Sequence, residues 1–165
     1  MRLLYLILPE RAECPSVGGM GRVRAAVVID RPVAEVFAFV ADLRHDPQWF
    51  RGVHEVRVVS SMDSGVGTEY EQVTRLFGVS FVARVLMTEY EPPHRAALLA
   101  LRSGTPFRAV YTFEPLDSGR STRYTLDADV SGAGLYRLLG PLFLPLLRRA
   151  TRSRMRGLKR VLESA

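Results

Sequence analysis

Residues 135–162 constrain this chain more than any other stretch, because they read as one long helix that the rest must wrap. Leu135, Leu138, Leu139, Leu142, Phe143, Leu146 and Leu147 recur at three- and four-residue steps. Thr151, Met155, Leu158 and Leu162 carry the stripe onward at the same spacing, giving one buried face several turns long. Arg148, Arg149, Arg152, Arg154, Arg156, Lys159 and Arg160 crowd the second half, where cations suit the negative end of the helix dipole. They read as a solvated face. Pro141 and Pro145 each remove a backbone donor, so a kink or a break is expected there, with the regular helix starting at about Pro145.

A chain of 165 residues that is 47% hydrophobic can bury one sizeable core, and it carries no internal repeat. One domain is expected. The net charge of +6 comes almost wholly from arginine, since Lys159 is the only lysine. Those arginines are scattered on strands or gathered beside leucines rather than interleaved with base-stacking aromatics, so nucleic-acid binding is not implied. A transient membrane-surface contact is the functional alternative for the basic helix. Cys14 is the sole cysteine, which excludes an intramolecular disulfide and favours a reducing, cytoplasmic setting. The opening MRLLYLIL is short for a signal-peptide core and far too short to span a bilayer. Residues 9–21 are polar and glycine-rich. Residues 1–21 are therefore expected to be a disordered extension or the product of an upstream start, preceding a domain at 22–163.

Residues 22–30 (RVRAAVVID) alternate, with Val23, Ala25, Val27 and Ile29 on one face of a strand. Asp30 is expected to cap the helix that follows and Pro32 to sit in its first turn. Val33, Val36, Phe37 and Val40 make that helix amphipathic. A second short helix is expected in residues 42–50 (DLRHDPQWF), where Trp49 closes one end of the core with its N–H bonded or lines a ligand site. Six strands follow, at about 53–60, 67–76, 79–90, 95–103, 107–115 and 121–130. Short turns at 63–65, Gly78, 91–93, 103–106 and 117–120 make successive antiparallel pairing the natural outcome.

The inward faces carry the functional content. Glu69, Glu71 and Arg75 share one face of their strand, which turns Tyr70, Gln72 and Thr74 inward. The same alternation points Phe81, Ala83, Val85 and Met87, then Phe107, Ala109, Tyr111 and Phe113, then Tyr124, Leu126, Ala128 and Val130 to the interior. Hydroxyls and an amide among aromatic walls suit a cavity for a mostly apolar ligand with a few polar anchors. The ligand-contacting set is expected to be Trp49, Tyr70, Gln72, Thr74, Phe81, Val85, Tyr111, Phe113 and Tyr124, with Leu139 and Phe143 from the helix.

Familiar catalytic chemistry is not visible. His45, His54 and His94 lie in three separate elements without ligand spacing, so neither metal nor cofactor is expected. His45 and Asp46 are adjacent and point apart, which reads as a surface pair. No phosphate loop, nucleophile elbow or dinucleotide fingerprint occurs in the right context.

One strand, two short helices, six strands and a long C-terminal helix is the order of the helix-grip fold, an α+β class. Residues 33–49 (VAEVFAFVADLRHDPQW), Gly67-Thr68, Glu91-Pro92-Pro93 and Gly119-Arg120-Ser121-Thr122 resemble the polyketide cyclase/dehydrase and lipid-transport group of the START-like (SRPBCC) superfamily. The resemblance spans residues 22–162. It implies a curved antiparallel sheet of about seven strands wrapped around the C-terminal helix, with a deep cavity between. It also implies a carrier of a lipid, quinone or polyketide-like molecule or, alternatively, a cyclase/aromatase acting on a poly-β-ketone. For a cyclase, Tyr70, Gln72, Tyr111 and Tyr124 are the candidates to polarise a carbonyl.

A chain beginning at Met20 is expected to melt within a few degrees of the full chain, because the preceding residues offer no periodic face to pack. Calorimetry of both checks it, and a larger fall would place the MRLLYLIL segment against the body.

Overall fold

The computed structural model describes residues 19–76, 79–102, 107–131 and 135–164. The turns expected at Gly78 and 103–106 and the first 18 residues lie outside them. Chain order is β1 (Gly19–Ile29), α1 (Val33–Ala41), a one-turn 3-10 helix (Leu43–His45), α2 (Asp46–Trp49), β2 (Val53–Val58), β3 (Glu69–Leu76), β4 (Val79–Glu91), β5 (Arg95–Arg102), β6 (Phe107–Leu116), β7 (Ser121–Ser131) and α3 (Leu135–Ser164). The strands form one curled antiparallel sheet in the order β1-β7-β6-β5-β4-β3-β2. Each strand from β2 to β6 pairs with its successor. The link through α1 and α2 carries the chain from one edge of the sheet to the other.

Register bears out the alternation. Tyr70 lies opposite Val85, Gln72 opposite Ala83 and Thr74 opposite Phe81. Tyr111 faces Leu126 and Phe113 faces Tyr124, while Val27 meets Tyr124 from the other side. Side chains two apart along a strand share a face, so this register gathers the aromatics of β6 and β7 on the concave side. Phe37 of α1 joins them, its ring 5.2 Å from those of Phe113 and Tyr90.

Helix α3 docks on β1 through buried Thr151, Met155, Leu158 and Leu162, the later part of the periodic stripe. Each large apolar side chain buried there contributes about 1.5–3 kcal/mol. Its last turn is tied to the corner after β1: Arg31 Nε donates to the Leu162 carbonyl at 2.9 Å, and the Asp30 N–H donates to Glu163 at 2.9 Å. Lys159 Nζ reaches both the Val28 carbonyl and Glu163 at 2.8 Å. The Arg31 bond satisfies one of the carbonyls that a helix end leaves open.

Two local expectations are corrected. Helix α3 runs unbroken from Leu135 through Pro141 and Pro145, without separating into two helices. Each proline removes one internal hydrogen bond, and the leucine-rich residues around them favour helix strongly enough to carry it through. Asp30 does not cap α1. Pro32 occupies the cap position, and Asp30 Oδ1 instead accepts from Ser121 Oγ at 3.3 Å, because the chain bends toward β7 first.

Gly157 marks the closest approach of α3 to α2. A Cβ placed there would lie 2.7 Å from the Trp49 carbonyl oxygen, a distance that backbone cannot yield cheaply. Gly157→Ala is expected to destabilise the fold by about 1–3 kcal/mol despite the gain in helix propensity, since overpacking outweighs a propensity term of about 1 kcal/mol. Urea unfolding checks the sign.

Candidate functional site

The polar segment 42–50 builds one wall of the interior. Asp42 accepts the Arg44 N–H at 3.0 Å and starts the 3-10 turn, and Asp46 opens the single turn of α2, its carbonyl receiving the Phe50 N–H at 2.8 Å. This double turn aims consecutive side chains in opposite directions. His45 turns away, stacked on Phe39 at 4.6 Å with Nδ1 3.0 Å from the Phe39 carbonyl oxygen. Asp46 turns inward and is only 6% exposed. The expected surface pair is thus corrected, because a helical turn beginning at Asp46 points its carboxyl under α3 instead of into solvent.

Across from it, α3 contributes Arg154. Its guanidinium lies over the Phe50 ring, 3.2 Å from the centroid, and 6.0 Å from that of Trp49. A desolvated cation on an aromatic face gains up to about 2 kcal/mol. Burial lowers the Arg154 pKa, while Tyr111, Asp46 and Tyr124 push it back up. A guanidinium stays protonated regardless. Its Nε is buried without a hydrogen-bond partner, and no N–O contact within 4.0 Å joins it to Asp46. The two charges feel each other without touching.

Tyrosines complete the cluster. Tyr111 and Tyr124 stand 6.0 Å apart edge to face, and Phe113 stacks on Tyr124 at 5.2 Å. Burial raises both tyrosine hydroxyls well above the usual phenol range, and the Asp46 carboxyl adds to the rise. Tyr124 is wholly buried, yet its Oη has no partner, and neither has Trp49 Nε1. The expectation that the Trp49 N–H is hydrogen-bonded is therefore corrected; the ring stands beside Phe50 and the Arg154 guanidinium, and no acceptor among the described residues reaches the N–H. Burial pushes the Asp46 carboxyl up to about 7, with Arg154 opposing and Asp42 reinforcing the rise.

The expected contact residues divide by position. Trp49, Tyr70, Val85, Phe113 and Tyr124 belong to one buried cluster, with Tyr111 packed against it. Burial, then Asp42, raises the Tyr70 hydroxyl to about 12. Gln72 and Thr74 lie farther along β3 and are half-buried. The side chains of Phe81, Leu139 and Phe143 lie outside the described residues. Asp46 and Arg154 were not anticipated. Arg154 had a signal: it stands three residues after Thr151 and four before Leu158, inside the buried stripe, though the surrounding arginines hid it. Among the described residues no three His, Cys, Asp or Glu converge.

This arrangement offers an oxygen-bearing guest a cation, two hydroxyls and an indole N–H between aromatic walls, with a carboxyl that exchanges its proton near neutrality.

Comparison with known proteins agrees with this architecture. A family model described as polyketide cyclase/dehydrase and lipid transport matches residues 20–163. Among solved structures, TTHA0849 from Thermus thermophilus is similar at 20% identity and TM-score 0.72, covering 87% of this chain and 98% of its own. The ZhuI aromatase/cyclase from Streptomyces sp. R1128 aligns at 15% identity and TM-score 0.72, over 87% and 93%. A START superfamily protein from Mycobacterium smegmatis aligns at 16% identity and TM-score 0.61, over 83% and 98%. At such identities the likeness is one of fold. No curated protein matches.

The raised Asp46 pKa has a stability consequence. Between about pH 4 and 7 the folded chain keeps a proton that the unfolded chain releases, so this group's contribution is full below pH 4 and is lost as pH rises through 7. Asp46→Asn lacks this loss. Relative to wild type, its stability is expected to rise by on the order of 3 kcal/mol between pH 4 and 8, read from urea unfolding at the two values.

Proposed function

This chain belongs to the polyketide cyclase/dehydrase and lipid-transport family, and we propose that it binds a mostly apolar small molecule between its sheet and α3, anchoring the molecule's oxygens at Arg154, Tyr124, Tyr111 and Trp49. One observation carries this reading: Arg154 Nε, Tyr124 Oη and Trp49 Nε1 are buried in one aromatic-walled region without partners. Buried polar atoms in native proteins are nearly always bonded, and each one left alone costs about 1–3 kcal/mol. A guest with a carbonyl, phenolate or carboxylate oxygen would remove that cost, and Tyr70, Val85 and Phe113 would cover its apolar body. Gln72 and Thr74, with Phe81, Leu139 and Phe143, are proposed to extend the same surface. The protein would act as a cytoplasmic carrier loaded at a membrane surface. No helix among the described residues is long and apolar enough to cross a membrane.

A second reading is favoured by Asp46. A carboxyl titrating near 7, facing a fixed guanidinium, is the pairing that cyclisation of a poly-β-ketone requires. The carboxylate would take a proton from a methylene between two carbonyls, and Arg154 and Tyr111 would hold the enolate oxygen. The enolate carbon would then bond to a distant carbonyl carbon, whose oxygen takes up the proton.

The test uses two dyes, anionic anilinonaphthalene sulfonate and neutral phenylnaphthylamine. Both are expected to bind wild type. Arg154→Met should weaken the sulfonate about tenfold or more while leaving the neutral dye within a factor of about three, and Tyr111→Trp should exclude both. Failure of wild type to take up either dye would make the interior a filled core. For the second reading, a poly-β-ketone mimic should turn over in wild type and lose a hundredfold or more in rate with Asp46→Asn at little change in affinity.

A further inference from the structure

A different chemical environment lies outside, where β1 meets the exposed flank of α3. Arg22 and Arg24 of β1 and Arg148 and Arg152 of α3 line a groove of about 440 Å³. An adjoining groove of about 490 Å³ is lined by Pro145, Arg148, Arg149, Arg152 and Arg156. The two share Arg148 and Arg152, so they form one basic trough. All six arginines are exposed. On α3 the spacing 148, 149, 152, 156 gathers four of them along one flank, distinct from the buried stripe of Thr151, Met155, Leu158 and Leu162.

Their grouping sets them apart. Many arginines of the sheet are matched to carboxylates: Arg57 to Glu55, Arg95 and Arg108 to Glu89, Arg123 to Glu114. In the trough only Arg22 has such a partner among the described residues, Asp127. Arg24, Arg148, Arg149, Arg152 and Arg156 have none within 4.0 Å among those residues. Arg24 feels the Asp127 carboxylate across the β1–β7 pair, but the four helix cations have no carboxylate in ion-pair reach among the described residues, and an external polyanion relieves their mutual repulsion. Guanidinium groups bind phosphate oxygens in pairs, and a trough between a strand and a helix approaches a phosphate from two sides.

The character of the polyanion follows from what adjoins the trough. Among the described residues no aromatic lines it, whereas single-stranded nucleic acid needs rings on which bases stack. In sequence the arginine flank continues directly from residues 135–147, which hold seven leucines and one charged residue, Arg137. A leucine-rich segment running into clustered arginines on one helix is the composition of an element that lies in a lipid–water interface. We propose that the trough formed by Arg24, Arg148, Arg149, Arg152 and Arg156 docks this protein on an anionic phospholipid surface, with lipid phosphates seated between β1 and α3. This deepens the membrane-loading part of the proposed function, and none of the five arginines is among the residues assigned to the interior.

Flotation of the full chain with vesicles tests it. Vesicles of phosphatidylcholine mixed with phosphatidylglycerol should carry the protein up the gradient; vesicles of phosphatidylcholine alone should not, and high salt should release it. Losing one trough charge lowers partitioning about fivefold, so Arg24→Gln should show that fall and Arg148→Glu with Arg152→Glu should abolish binding. Arg57→Glu, on the opposite sheet edge, should bind as wild type does. Interior dye uptake should persist in all three variants, which keeps a failed trough separate from a failed ligand site. Absence of wild-type flotation, equal flotation with neutral vesicles, or flotation surviving the double reversal overturns the proposal. So does saturable binding of polyglutamate or inorganic phosphate by a protein that ignores the anionic vesicles, since the trough then serves a soluble partner.

Discussion

The contact between α3 and the segment 49–50 governs the interior. Gly157 lets the helix approach the Trp49 carbonyl so closely that a methyl group would collide with it. Three residues earlier on the same helix, Arg154 is thereby brought down onto the Phe50 ring. One missing side chain and one cation thus set how closely α3 approaches the segment 49–50. Met155, Leu158 and Leu162 supply the adhesion, while the small residue and the cation supply the position.

That position puts a full charge where water is scarce. Transferring a guanidinium from water costs several kcal/mol unless it is met by rings, dipoles or an opposite charge. Here Phe50 and Trp49 meet it with their π-faces, two tyrosine hydroxyls stand near, and Asp46 faces it beyond ion-pair distance. Closer contact would hold both groups ionised and neutralise the site. Kept apart, the carboxyl is drawn toward neutrality by burial while the cation persists. The interior therefore keeps a net positive character.

The two basic environments answer to different physics. Arg154 works through desolvation, so its influence is local and little affected by salt. The arginines between β1 and α3 work through number and exposure, so their field reaches about 10 Å and weakens as salt rises. Both occur on one helix because its 3.6-residue period sends 154 inward and 148, 149, 152 and 156 outward.

From the sequence alone, the alternation of strands β1 to β7, the described turns and the later part of the apolar stripe of α3 were legible, and together they determined the helix-grip architecture and its inward-facing rows. Local rules suffice there, because side-chain period and short loops leave one consistent pairing. Asp46 and Arg154 were not legible in that way. An acidic residue in a polar loop and an arginine among arginines carry the composition of surface, and nothing in the local pattern states the cost of burying them. Tertiary structure decided their placement: the double turn at 43–49 points Asp46 inward, and Gly157 lets α3 bring Arg154 onto the Phe50 ring. Burial of a charge depends on what lies across the interior, a relation between residues about a hundred positions apart that no local window contains.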